Sequence, residues 1–591
     1  MTKTHETVTV VWNAIPWRKL EIRVWKLQKR IFRASQRGDT EIVRRLQKTL
    51  MRSWSGKCIA VRKVTQDNQG KKTAGVDGFK SLTPKQRLTL VNQLKVTGKS
   101  KPTRRVWIDK PGKAQKRPLG IPTMYDRALQ SLVKLALEPE WEARFEPNSY
   151  GFRPGRSALD AVEAIFLNVR AKAKFVLDAD IAQCFDRIDH QSLLNKLNTF
   201  PTLSRQIKAW LKSGVMDNGK FSDSEEGTPQ GGVISPLLAN IALHGLEKFI
   251  TGFRHKYRGN PCKGNAEGKV KYSTASTIRY ADDFVIIHES KEFVEYLQQQ
   301  TKKWLTGVGL EVKPSKTHIC HSSEGFDFLG FNVRHYSVGA YRAATHNGHN
   351  LGFTTLITPS KQKVKIHLDE IGRVIDANRN APQSALIKEL NSKIKGWCNY
   401  YSTVVSKETF SKCHNLTFQK LRAWSRRRCT KSNAHDITAK YWRTVGENRW
   451  EFATPNGHRM LKHSEIPIVR HVKVQDARSP FDGDTVYWGQ RMSSHPEISA
   501  RVKKLLTRQN GKCGLCGLKF KDGDVWEVDH VIPTILGGKN LYSNFQLLHR
   551  HCHHAKSAKD GSKGTHHKSQ HIEEPCVLKE TSTVLNQRWK G

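Results

Sequence analysis

The 591-residue chain has no apolar run long enough to cross a bilayer, and its start, Met1-Thr2-Lys3-Thr4-His5-Glu6, has no apolar signal core. Acidic residues are scarce: 53 Asp and Glu stand against 100 Lys and Arg, a formal charge of +47. That excess would repel itself in an isolated compact protein, so the composition points to a polyanionic partner, and a long nucleic acid is the natural one. No single helix concentrates the bases, which speaks against a basic amphipathic membrane binder. The 11 cysteines are scattered except for Cys513 and Cys516. Scattered cysteines argue against a disulfide scaffold and for a reducing, cytoplasmic setting. No internal repeat is present, so solenoid architectures are excluded.

What is there is a succession of unlike segments. Residues 1–60 carry helical periodicity through Trp25, Leu27, Ile31, Val43, Leu46 and Leu50. Residues 61–335 mix a Gly/Lys-rich loop, strand-like stretches from Arg104 to Pro122, and alternating helix and strand patterns. Within them, residues 254–276 read as a Gly- and Lys-rich surface loop. The domain expected at 336–450 reads as helical and strongly basic from about 361, with Arg426, Arg427 and Arg428 in a row; 451–495 are polar and irregular, a small module or linker. A compact module spans 496–565, and 566–591 form a polar tail. Trp397, Tyr400 and Tyr401 recur at helical spacing and are read as packing rather than as base-stacking platforms.

The most informative residues are Asp282 and Asp283. Thr277–Tyr280 and Phe284–Ile287 read as strands, which puts Ala281-Asp282-Asp283 on the turn of a hairpin. Adjacent carboxylates repel unless a cation neutralises them, and their hard oxygens suit Mg²⁺. Asp180, at the end of the apolar stretch Phe175–Ile181, is the best partner. Three carboxylates would cage two Mg²⁺ roughly 3.5–4 Å apart, as two-metal phosphoryl transfer requires. Phe185 would lie beneath the sugar of an incoming dNTP and exclude a 2′-hydroxyl. Lys110 and Arg117 are placed to grip triphosphate oxygens. The loop Gly227-Thr228-Pro229-Gln230-Gly231-Gly232, ahead of a helical stretch, suits close approach by nucleotide and template.

These blocks, with Tyr150-Gly151-Phe152-Arg153-Pro154, Lys313-Pro314-Ser315-Lys316 and Phe328-Leu329-Gly330-Phe331, follow one another in order. Over about residues 70–335 they resemble the reverse transcriptases, and among those the bacterial group II intron-encoded proteins. The stretch Leu390–Tyr401 resembles the thumb, or maturase, domain of the same family. The resemblance implies an α+β multidomain protein: a right-hand polymerase whose fingers and palm carry an antiparallel sheet, then a helical thumb. It implies that Asp180, Asp282 and Asp283 are catalytic metal ligands, that Lys110, Arg117, Phe185 and Gln230 contact the nucleotide, and that Lys316 assists pyrophosphate departure. It also implies binding to the intron's own RNA, a DNA-binding role for 451–495, and a cytoplasmic ribonucleoprotein in a bacterium.

A second centre lies near the end. Cys513 and Cys516 form a metal knuckle by spacing, and His549 and Cys552 repeat the gap. Four N/S ligands would close a structural Zn²⁺ site, with His551 a competitor for His549. Between and after the pairs, Asp529-His530, Asn544 and His553 complete a pattern that resembles an HNH nuclease over about residues 505–560. The resemblance implies a zinc-stabilised ββα-metal domain. His530 would be the general base, its ring fixed by a hydrogen bond from Asn544. Asp529 and His553 would hold one Mg²⁺. Glu527 is either a support for that site or a surface charge; His554 has no assigned place and is read as solvated.

The leading expectation is therefore a multifunctional group II intron-encoded protein: RNA-directed DNA polymerase, splicing maturase and DNA endonuclease. It would act with its intron RNA on target DNA, copying from the 3′-end the nuclease supplies. A splicing factor with a relic polymerase is disfavoured by the complete aspartate and His-Asn-His sets. A reverse transcriptase of another lineage is disfavoured by the maturase-like stretch and the appended nuclease. A free-standing homing nuclease would not need residues 1–450.

Overall fold

Apolar side chains recur three and four residues apart through the first helices, Trp17–Gln36, Thr40–Arg52 and Trp54–Arg62. The computed structural model describes residues 11–560, apart from 110–115, 218, 224–226, 229, 259–269, 340, 342, 497 and 521–523. Lys110, the end of the nuclease segment and the tail 566–591 lie outside the described residues. Asp39 accepts from the Ile42 amide at 3.0 Å and so starts the second helix. Val43, Leu46 and Leu50 on that helix are buried. All three helices share one core with helix Met124–Glu142, which is buried on nearly every side. Gln28 donates to the Leu135 carbonyl at 3.0 Å and Gln47 to Glu140 at 2.7 Å. Residues 11–60 thus pack into one body with that helix rather than extending from it.

Strands Thr103–Asp109 and Lys116–Ile121 form an antiparallel hairpin, to which Val215–Asp217 and Lys220–Ser222 add. A second four-stranded sheet, wholly antiparallel, runs in the order His318–His321, Phe175–Asp180, Asp283–His288, Ser276–Tyr280. The strands Ser276–Tyr280 and Asp283–His288 are buried on both faces, which explains their continuous apolar runs. The segment 254–276, expected to be a loop, instead starts and ends as paired strands His255–Arg258 and Val270–Ser273.

The basic region is helical over Lys361–Ala377, Gln383–Tyr401, Lys407–Arg428 and Ala434–Tyr441. It is preceded by a three-stranded sheet, Phe326–Phe328, Phe331–Ser337 and Phe353–Pro359, and followed by the hairpin Trp442–Val445/Asn448–Phe452. The boundaries expected at 60, 335 and 450 therefore fall inside a helix and two strands. Trp397 stacks on His367 at 4.3 Å, and the Tyr401 hydroxyl donates to the Gly330 carbonyl at 3.2 Å. These aromatics join thumb to sheet.

Residues 451–495 are not a free linker. The amide of Val474 (2.8 Å), His471 Nε2 (3.1 Å) and the guanidinium of Arg491 all converge on one oxygen of Asp160, a fully buried carboxylate of helix Ala158–Val169. Burial disfavours that charge, but His471 and Arg491 outweigh it and hold the carboxyl well below its ordinary range. Arg156 Nη2 donates to the Asp476 carbonyl at 2.8 Å. The nuclease module has its own core, built on Val502, Leu505, Leu506, Phe520, Trp526, Leu547 and Leu548. Strands Trp526–His530 and Phe545–His549 pair antiparallel and lead into helix Arg550–Lys559.

Candidate active sites

Strand register builds the first centre. Asp180 stands directly opposite Asp283, and Asp178, two residues earlier, shares the face of Asp180. Asp282 occupies the turn, its carbonyl accepting from the Ile181 amide at 3.1 Å. Asp178 was not anticipated; the Asp178-Ala179-Asp180 alternation was the available signal. Burial, then the neighbouring Asp282 and Asp180, raises the Asp283 carboxyl to about 7. Burial, then Asp180, lifts Asp178 to about 7 as well, and Asp282 is raised by the same two causes. Three acids raised beside Asp180 define a place short of positive charge, and their hard oxygens fit divalent Mg²⁺. Lys316 meets part of the need by an ion pair to Asp180 Oδ2. Burial works against its ammonium, but Asp180, Asp283 and Asp282 raise its pKa.

The turn is held from behind. Ala281 has φ +56°, a left-handed conformation few non-glycine residues adopt. Arg279 Nη1 donates to the Ala281 carbonyl at 3.0 Å and to Asn240 Oδ1 at 3.1 Å; its Nη2 donates to Ser149 Oγ at 2.7 Å. Asn240 in turn donates to the Gly151 carbonyl at 2.8 Å. A Cβ on Gly151 would lie 2.4 Å from the Ala281 nitrogen. Arg153 fixes this block by a two-pronged pair with buried Glu142, at 2.9 and 3.0 Å.

Of the other nucleotide candidates, Phe185, Gln230 and Arg117 lie among the described residues. Phe185 is half-buried, edge-on to Phe152 with centroids 5.9 Å apart, and its carbonyl accepts from the Thr228 amide. Gly227 has φ +80° and packs so tightly that a Cβ would lie 2.4 Å from Asp186. Gln230 donates to Asp186 at 3.4 Å and accepts, through its carbonyl, from the Gly120 amide at 2.7 Å. The loop thereby joins the Thr103–Ile121 hairpin to the short helix Cys184–Arg187 that follows the Asp180 strand. Arg117 is exposed, and its charge opposes the upward shift of Asp282.

In the second centre the donor atoms of Cys513, Cys516, His549 and Cys552 all lie within 4.8 Å of one another. Three thiols and an imidazole are the donor chemistry of zinc, so this cluster is able to hold it. Among the described residues no other group of Cys, His and acids is drawn together so closely. His551 is not among these donors; its Nε2 lies 3.5 Å from Glu21 of the first helix.

Asp529 and His530 end the first nuclease strand, and His553 faces them from the helix. His553 Nδ1 bonds Glu527 and its Nε2 lies 3.4 Å from Asp529. Burial opposes the imidazolium, but Asp529 and Glu527 raise its pKa to about 9. Glu527 is therefore no idle surface charge: it also takes Arg550 Nε at 2.8 Å. Lys556 Nζ lies 3.1 Å from Asp529 and donates to the His530 carbonyl at 2.8 Å. His554 is half-buried rather than solvated. The hydrogen bond expected from Asn544 to the His530 ring is not formed. Asn540 Oδ1 instead meets His530 Nε2 at 2.7 Å. Asn544 bonds the backbone of Ile532 (2.8 and 3.0 Å) and Lys539 (3.0 Å). The asparagine spacing was legible, but the loop's path between the strands was not.

Comparison with known proteins matches the same segments. Residues 12–94 match the N-terminal domain of reverse transcriptase, 108–333 reverse transcriptase (RNA-dependent DNA polymerase), 364–442 the group II intron maturase-specific domain, and 513–559 HNH endonuclease. The group II intron-encoded protein LtrA of Lactococcus lactis subsp. cremoris is 30% identical over 441 residues, 63% of this chain and 73% of that protein. Protein YkfC of Escherichia coli K12 is 33% identical over 299 residues, 46% of this chain and 78% of its own. Maturase-like protein 1 of Euglena gracilis is 26% identical over 424 residues, 69% and 81% of the two chains.

Proposed function

The chain belongs to the group II intron-encoded proteins, reverse transcriptase, maturase and HNH endonuclease in one polypeptide, and we propose how its residues divide that work. Asp180, Asp282 and Asp283 would hold two Mg²⁺ at the polymerase centre, and Asp529 and His553 one at the nuclease. Bound there, the ions would supply Lewis acidity to the primer 3′-hydroxyl, the triphosphate and the scissile phosphate. Cys513, Cys516, His549 and Cys552 would hold a structural Zn²⁺ that ties the module's two ends.

Around the first centre, Arg117 neutralises the triphosphate and Phe185 supports the sugar, while the Gln230 loop positions the pairing base. Lys110 would join Arg117. Lys316 offers its proton to the departing pyrophosphate. At the second centre Asn540 Oδ1 accepts from Nε2–H of His530, which leaves Nδ1 bare to take a proton from water. Lys556, held at 3.1 Å from Asp529, adds positive charge where the phosphate gathers negative charge.

The exposed bases of the thumb would hold the intron RNA through phosphates and shape. No helix of the described residues is long and apolar enough to cross a membrane. The reading is a cytoplasmic ribonucleoprotein that inserts its RNA into DNA and copies it from the nicked strand's 3′-end. The observation that carries it is the pairing of Asp180 with Asp283 in one chain with a separate His530 centre. Asp282→Ala should abolish primer extension on an RNA template and spare DNA nicking; His530→Ala should do the reverse. Loss of both activities in either variant would sink the two-centre division.

A further inference from the structure

The loop between the two nuclease strands, residues 531–544, carries large apolar side chains into solvent. Ile532 is 54% exposed, Ile535 70%, Leu536 64% and Leu541 56%. A patch of this kind beside a catalytic centre marks something it binds. The loop is also stiff. Asn544 bonds Ile532 and Lys539 across it, the Gly538 amide donates to the Pro533 carbonyl at 3.0 Å, and a Cβ on Gly538 would overlap the Ile532 carbonyl at 1.9 Å. The apolar tip is therefore presented on a built turn.

Two observations select the occupant. The loop is continuous with the cutting centre: Val531 follows His530, and Asn540 bonds the His530 ring. Its base is ringed by positive charge from helix Ala500–Arg508. Lys504 Nζ stands 4.6 Å over the Tyr542 ring, Arg501 5.0 Å over Phe545, and Arg508 donates to the Tyr542 carbonyl at 2.7 Å. No acidic residue occurs between Asp529 and Asp560. An apolar tip within a basic collar matches a nucleic-acid duplex, whose phosphates meet the bases while side chains wedge a base step from the minor groove.

Resting on the nuclease reading above, we propose that this loop is a wedge: Ile535 and Leu536 enter the minor groove of target DNA beside the phosphodiester that is cut and unstack the adjacent base step. Unstacking bends the duplex and turns the scissile phosphate toward His530.

The test uses the full-length protein with its intron RNA. The nick made by the wild type is mapped first, and a duplex is then built with 2-aminopurine at the flanking steps. On the His530→Ala protein, which binds without cutting, the wedge gives a several-fold rise in 2-aminopurine fluorescence. Adding Ile535→Ser and Leu536→Ser to that protein removes the rise. In the cutting enzyme the serine pair raises KM for the duplex about tenfold, while Ile535→Met with Leu536→Met restores it. Primer extension is unchanged throughout. A His530→Ala protein that binds the duplex without any fluorescence rise, or a serine pair that nicks with unchanged KM, overturns the wedge alone. A wild type that fails to nick any DNA overturns the nuclease reading, and the wedge with it.

Discussion

Gly151 has no side chain because the turn that holds Asp282 leaves no room for one. The smallest addition, Gly151→Ala, would push the Ala281 backbone and carry both aspartates with it. A shift of that order at reacting groups costs about 100-fold in rate, so primer extension should fall by that factor at unchanged thermal stability of the nuclease module and unchanged nicking. Single-turnover extension on a primed RNA template measures it. At this scale the sequence was most readable where chemistry demands rare residues side by side: Asp282 beside Asp283, Cys513 near Cys516. It was least readable where a residue acts by reaching across the fold. Asn240 and Ser149 hold Arg279 behind the Asp282 turn, yet they lie 39 and 130 positions from it in the chain. Asn540, rather than Asn544, meets the His530 ring for the same reason: ten positions apart in the chain, the pair is joined only by the loop's path.

Between the thumb and the segment that follows it lies an unusual contact, His367 Nε2 against His463 Nε2 at 3.0 Å, both rings buried. Burial lowers the His367 pKa to about 4, with Glu370 the one charge opposing; burial, with His367 and His414 adding, lowers His463 to about 3. An unfolded histidine takes a proton near 6.5. Between that pH and about 4 the unfolded chain binds more protons than the folded one, so thumb stability is full above 6.5 and falls as the medium is acidified. His463→Leu should flatten this dependence. Melting curves of the two proteins from pH 7 to 4.5 would decide; parallel slopes would refute the assignment. The nuclease module offers a second prediction. If Cys513, Cys516, His549 and Cys552 share one zinc ion, Cys516→Ser should reduce zinc content by one ion per chain and eliminate the module's own melting transition, with primer extension intact. Helices and the catalytic hairpin were legible as elements, because 3.6 and 2.0 periodicities are local. The strands Phe331–Ser337 and Phe353–Pro359 were hidden between helical stretches, since their partner lies beyond an intervening hairpin.

Across the whole molecule, the segment 451–495 ties distant parts together. Arg491 and His471 neutralise Asp160, which is wholly shielded from water. Arg491→Ala leaves that carboxylate short of a partner and should destabilise the polymerase body by about 3–5 kcal/mol. Chemical denaturation monitored together with primer extension measures it; a loss confined to 451–495, with extension kept, would refute the coupling. Nothing in the sequence pairs Asp160 with Arg491, because their separation of 331 positions carries no periodic signal. The same separation has a consequence on the ribosome. At about 5–20 residues per second, the chain needs roughly 15–65 s after making Asp160 to reach its counter-ion. Until then helix Ala158–Val169 holds an acid whose counter-ion has not been made, so this part of the polymerase settles only after residue 491 has left the ribosome.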